Sequence, residues 1–220
     1  VPFVSKAIGK PLANIAAKVM SGQSLKSLKY TKEIIPKHFS VKEAVFPFNK
    51  FLGVDPILGP EMRSTGEVMG IGDDFASAFD KSQLAAGSRI PKRGKAFVSL
   101  RRLDRKDLPK LAKALVEQGF SLIATRSNQE IISKAKLECE IVNKVSEGSP
   151  HIVDMIKNGE VDFIINSTED TQGVQDAGQI RCHALINNVP FTTTLTAAFA
   201  ILEGLKTSDD ISVRTLQSIH

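Results

Sequence analysis

From Lys95 onward the chain alternates short apolar runs with amphipathic stretches, and this alternation limits the fold more than anything else in the sequence. Ala96-Phe97-Val98-Ser99-Leu100, Phe120–Ala124, Cys139–Val145, Val161–Asn166 and Val189-Pro190-Phe191 read as strands. Between them, helical spacing recurs: Leu108, Leu111, Ala112, Leu115 and Val116 on one face, a short segment at Glu130–Lys136, then Ile152, Met155 and Ile156. A long helix near Gly173–Asn187 and a last one carrying Ala198, Ile201, Leu202 and Leu205 follow. Repeated βα units with short links call for a parallel sheet covered by helices on both faces. Val161-Asp162-Phe163-Ile164-Ile165 has little polar alternation, as suits a central strand buried on both sides.

The first half is organised differently. Leu12, Ile15, Ala16, Val19 and Met20 make a helix with one apolar stripe, and Gly22 is placed to stop it. Ala44–Phe48 reads as a strand interrupted by Pro47. Phe51–Gly72 is so rich in Gly and Pro that it reads as surface turns, its glycines fitting neither the dinucleotide fingerprint nor the P-loop. Asp73–Ala86 reads as a helix with Phe75 and Phe79 on one face. Gly87–Gly94 joins breakers to basic residues and marks a boundary.

Bulk properties narrow the function. A formal charge of +5 and a pI near 9.2 suit an anionic ligand. With a single tyrosine and no tryptophan, the chain lacks the aromatic platform of a nucleic-acid binder, and no nucleic-acid partner is expected. No apolar run reaches membrane-spanning length. Cys139 and Cys182 form no CxxC, so a reducing cytoplasm is the expected location and no membrane partner is expected. The four histidines have no metal-ligand spacing, and no nucleophile has a partner base; no catalytic or metal residue is assigned.

The strand ends carry the chemistry. Ser99 ends the first strand, and Thr125, Arg126, Ser127 and Asn128 follow the second. Asn143 and Lys144 end the third, Asn166, Ser167 and Thr168 the central one, and Thr192, Thr193 and Thr194 the short one. In a parallel sheet these ends share one edge, where ligands bind. Hydroxyls, amides and helix N-termini there, with Lys144 and Arg126, would hold a phosphate-bearing small molecule. Arg105 and Lys106 open the first helix, behind a cap at Asp104, where cations oppose the helix dipole unless an anion sits beside them. Each Ser or Thr taken singly is equally well explained as a helix cap; the site reading rests on their convergence.

Val1–Gly9, the run Pro47–Gly70, Val142-Asn143-Lys144-Val145 and Ser149-Pro150-His151-Ile152 closely resemble the carboxy-terminal part of the carbamoyl phosphate synthetase large subunit. The resemblance covers essentially the whole chain. It implies a small α+β tail of the second ATP-grasp unit at residues 1–88, followed at 89–220 by a Rossmann-like, methylglyoxal-synthase-like α/β regulatory domain. That family makes carbamoyl phosphate from bicarbonate, glutamine-derived ammonia and ATP with Mg or Mn, for pyrimidine and arginine synthesis. The family's Glu-x-Asn-x-Arg metal and nucleotide run would end just before Val1, so this chain is expected to be a fragment without cofactor or ligase activity of its own.

The resemblance further implies that nucleoside monophosphates such as UMP and IMP bind at Ser99, Arg105, Thr125, Lys144, Asn166 and Thr168. Arg126, Asn128, Ser167 and Thr194 complete the expected effector set. Ornithine would meet Glu43 and Thr193. The partners implied are the small glutaminase subunit, the rest of the large subunit and a second copy of the chain. Two departures stand out: the family's Thr-x-Gly-Thr phosphate turn reads Thr125-Arg126-Ser127-Asn128, and Thr171 and Gln172 replace basic residues after the central strand. True methylglyoxal synthases, the alternative as phosphate-eliminating lyases, keep an aspartate base where this chain has Ser149. A purely structural interdomain or oligomerisation module is the remaining alternative.

Overall fold

The structure is a computed structural model and describes residues 1–46, 66–168, 171–207 and 212–220. Pro47, most of the glycine-rich run, and the acidic pair Glu169–Asp170 lie outside the described residues. Two short helices, α1 (Pro2–Ile8) and α2 (Leu12–Met20), open the chain. The apolar stripe of α2 is left largely in solvent, with Met20 87% exposed. Strands β1 (Phe39–Val45) and β2 (Gly66–Gly72) pair antiparallel, and α3 (Phe75–Ala85) packs on both. Asp74 caps α3, its Oδ1 accepting from the Ser77 amide at 2.8 Å.

Gly66–Gly72 is therefore strand, where turns were expected. Glycine serves here as contact surface: a Cβ on Gly70 would collide with the Ala78 carbonyl oxygen and lie 2.6 Å from the Ser82 amide nitrogen. The α3 backbone rests directly on β2, an approach that only glycine permits in a strand.

The second sheet has five parallel strands: β3 (Gly94–Ser99), β4 (Phe120–Ala124), β5 (Glu140–Ile141), β6 (Phe163–Asn166) and β7 (Phe191–Thr192). Their spatial order is β5-β4-β3-β6-β7. Helices α4 (Leu108–Gln118), α5 (Arg126–Lys134), α6 (Ile152–Lys157), α7 (Thr171–Ile186) and α8 (Leu195–Thr207) connect and flank them. Strand periodicity divides the core in two. Ala96, Val98, Leu122, Ala124, Phe163 and Ile165 face α4, α5 and α8. Phe97, Ile123 and Ile164 face α6 and α7. Both layers include residues with no exposed surface, which gives the α/β sandwich expected from the apolar runs.

The chain leaves β3 toward β4 on one side and later returns through β6 to extend the sheet on the other. The C-terminal ends of β3 and β6 thus form a topological switch point, where a crevice must open because the adjoining connections diverge. Gly119, at φ +106°, caps α4 in the left-handed region and turns the chain straight into β4.

Three boundaries differ from the sequence reading. A 3-10 turn, Arg102–Asp107, precedes α4, so Asp104 is not its cap; Pro109 lacks an amide proton and suits the first turn of a helix that begins at Leu108. The expected strand Cys139–Val145 shrinks to Glu140–Ile141, paired with β4 at the end of the described sheet and followed by an isolated bridge from Asn143 to His151. Helix α5 begins at Arg126 because the Thr125 carbonyl accepts from the Asn128 and Gln129 amides, both at 2.9 Å.

Candidate functional site

At the switch point lies a cavity of about 370 Å³. Its floor is apolar: Phe97 from β3, Ile152 from α6 and Ile180 from α7. Its rim is polar and basic, with Ser99, Thr125, Lys144, Asn166, Ser167 and Thr168 brought together from four strand ends. Arg105 also lines it. The Arg105 Nε donates to the Leu100 carbonyl at 3.2 Å, which fixes the guanidinium against the loop and leaves its terminal amino groups for a ligand.

Asn166 is 5% exposed, and its Oδ1 has no hydrogen-bond partner among the described residues. A buried acceptor without a donor costs about 1–3 kcal/mol. Such a group in a polar cleft is suited to a ligand donor.

Two loops build this rim and are tied to each other. After β3, the Arg101 amide donates to Ser167 Oγ at 3.1 Å, and Ser167 Oγ–H donates to Asp104 Oδ2 at 2.9 Å. Arg101 Nε meets the same carboxylate oxygen at 2.9 Å. Burial raises the pKa of Asp104, but the bonds from Arg101 and Ser167 and the charges of Arg101 and Lys106 outweigh it and hold the carboxyl below its ordinary value. Asp104 is thus a latch between the loop after β3 and the loop after β6.

Not every expected residue reaches the cavity. Arg126 is the exposed first residue of α5 and is not in the lining. Thr194 caps α8, its Oγ1 accepting from the Ala197 amide at 3.2 Å. It faces a second cavity of about 470 Å³, which shares the Asn166–Thr168 wall and is also lined by Arg101, Arg181 and Thr193. Asn128 is 1% exposed with both amide ends engaged, Oδ1 accepting from the Leu100 amide and Nδ2 donating to Thr125 Oγ1, each at 3.1 Å. It lines the cavity as a brace rather than as an open ligand group. Glu43 lies on β1 and accepts from Gln83 Nε2 at 2.9 Å; neither of the two cavities at the strand ends includes it.

Other lining residues escaped the sequence reading. Arg101 and Arg102 follow Ser99 by two and three positions, a signal present in the sequence but absorbed into the general basic charge. Asp176 lies one helical turn before Ile180 on α7 and reaches the same cavity, as i, i+4 spacing allows. Ser149 does not line the cavity, and its hydroxyl donates to Asp154 Oδ2 at 2.7 Å. Among the described residues, no group of three or more His, Cys, Asp and Glu side chains could hold a metal, and no helix is long and apolar enough to cross a membrane.

Comparison with known proteins agrees with this architecture. Residues 107–193 match the MGS-like domain family. The whole chain is 53% identical to part of the carbamoyl phosphate synthase large chain of Xanthomonas axonopodis pv. citri. Identity is 54% with the protein of that name from Pseudomonas syringae pv. tomato and 51% with that from Vibrio parahaemolyticus. In each case all of this chain aligns with 20% of the relative's length, so the chain spans about a fifth of these relatives. Residues 107–193 are thus similar to the MGS-like domain family, within a chain that is similar from end to end to a fifth of the carbamoyl phosphate synthase large chain.

Proposed function

We propose that the switch-point cavity is the effector site of a regulatory MGS-like domain and takes a nucleoside monophosphate of the UMP or IMP type. The observation that carries this reading is the Oδ1 of Asn166, without a partner among the described residues, in a cavity also lined by Arg101, Arg102, Arg105 and Lys144. A ribose hydroxyl satisfies the first, and a phosphate is matched by the second. The apolar floor of Phe97, Ile152 and Ile180 suits a base. Asp176 offers an acceptor for its N–H groups. The cavity volume falls within the range of small-molecule sites.

In this proposal the domain serves a carbamoyl phosphate synthase that uses ATP, bicarbonate and glutamine, and the small glutaminase subunit and the rest of the large subunit are its partners. The described residues offer no ligand set for the divalent cation that accompanies ATP, so no step of that reaction is assigned to them. The Asp104 latch couples the two rim loops, and a ligand that bridges them favours whichever arrangement it binds more tightly, as an effector must. Ornithine remains a second proposed effector, with Glu43 and Thr193 as its contacts. Phosphate elimination finds no carboxylate at Ser149 to act as base.

Lys144→Ala tests the phosphate placement. It is expected to weaken UMP binding by about 1–3 kcal/mol, the range for a charge-assisted hydrogen bond. Isothermal titration measures it, and an unchanged affinity would move the phosphate elsewhere.

A further inference from the structure

The stretch Thr125-Arg126-Ser127-Asn128 ends in a buried asparagine. Asn128 is a lining residue of the cavity, 1% exposed, with both ends of its carboxamide used. The Leu100 N–H can only donate, so the amide oxygen must face it, and the NH₂ group must face Thr125 Oγ1. Thr125 is 4% exposed and lines the cavity. Its oxygen accepts from Asn128, and its proton meets no acceptor among the described residues. An N–H pointing at the oxygen excludes the hydroxyl proton from that direction, leaving Thr125 as a donor toward the cavity. The Leu100 bond at the same time anchors the loop that carries Arg101, Arg102 and Arg105.

We infer that Asn128 is a positioning residue that fixes the Thr125 hydroxyl as a hydrogen-bond donor, so that the pocket discriminates in favour of an anionic acceptor such as a phosphate or sulfate oxygen. Asn128 does this through Thr125, because both ends of its own carboxamide are engaged within the protein. The inference rests on the cavity holding an anion, as in the proposed function, but does not require that the anion be a nucleotide.

A double-mutant cycle with sulfate as the probe, on the full chain, separates this role from a merely structural one. Asn128→Leu keeps the approximate volume and removes both bonds; it is expected to weaken sulfate binding about ten-fold, the size of one hydrogen bond to a charged group. In a Thr125→Val background the same change is expected to have little further effect, because the hydroxyl it acts through is gone. Uridine, which lacks the phosphate, should bind Asn128→Leu and wild type alike. Equal losses in both backgrounds, equal losses for uridine and UMP, or no loss at all would overturn the inference.

If thermal unfolding shows that Asn128→Leu does not fold, Asn128→Asp takes its place, since it retains an acceptor for the Leu100 amide. Ionised, it accepts the Thr125 proton and removes the donor from the cavity; protonated, it regains a donor toward Thr125 Oγ1. Sulfate affinity should therefore recover, relative to wild type, as the pH falls through the titration of this carboxyl, which burial raises above the ordinary aspartate value of about 3.9. That recovery should vanish with Thr125→Val; a recovery that persists would show charge repulsion alone and overturn the inference. A wild-type chain that binds sulfate but not UMP contradicts the nucleotide reading while leaving this one open to the cycle. Binding neither contradicts both.

Discussion

Phe97→Ala is expected to lower the unfolding free energy by about 3–5 kcal/mol, the usual cost of truncating a fully buried phenylalanine. Phe97 has no exposed surface and stands on the central strand β3, packed with Ile123, Ile164 and the α6 and α7 side chains. It is also the floor of the cavity, so the void left by alanine opens into an existing one and cannot close by a small local shift. Urea unfolding followed by far-UV circular dichroism reads the change. A shift in midpoint without a change in slope would mean the native state is weakened rather than restructured. A midpoint unchanged from wild type would contradict the packing described for β3.

Gly70→Ala is the second large effect, and it acts through overpacking. The new methyl group must occupy space now filled by the Ala78 carbonyl and the Ser82 amide of α3. Neither is the tip of a flexible side chain, so α3 has to move off β2. The expected cost is about 3 kcal/mol, at the upper end for an inserted methyl in a packed site. Because α3 also packs against α8, with Gly204 close to Asp80, the displacement should reach the second sheet's helical layer. Thermal unfolding tests this, and a variant as stable as wild type would mean that α3 does not lie on β2 in solution.

These two sites show what the sequence revealed and what it hid. Phe97 sits in a run of apolar residues bounded by a basic stretch and a polar strand end, and strand periodicity alone identifies it as core. The parallel sheet, both helical layers and the polar rim at Ser99, Thr125, Lys144 and Asn166–Thr168 could be read the same way, because each depends on local pattern and on one topological rule. Gly70 could not. Glycine as punctuation and glycine as a contact surface look alike until the partner helix is in place.

The same limit applies to individual side chains at the strand ends. Arg126 and Ser127 are neighbours, yet the helical turn that begins at Arg126 sends one into solvent and the other into the cavity. Asn128 stands in the same first turn of α5, but its two hydrogen bonds depend on where Leu100 arrives from a distant strand. Thr194 was indistinguishable from a ligand residue because a helix cap and a phosphate contact call for the same hydroxyl. The Asp104 latch rests on Ser167, 63 positions further along the chain, which no local pattern can pair.

The most direct test of the account is a titration of the isotopically labelled chain with UMP, followed by backbone and side-chain amide NMR. The account predicts saturable shifts at Ser99, Leu100, Thr125 and Thr168, with the Asn166 side-chain amide among the most strongly perturbed signals. Uridine is expected to bind more weakly at the same residues. No binding, or saturable shifts that fall only outside the cavity between β3 and β6, would contradict it.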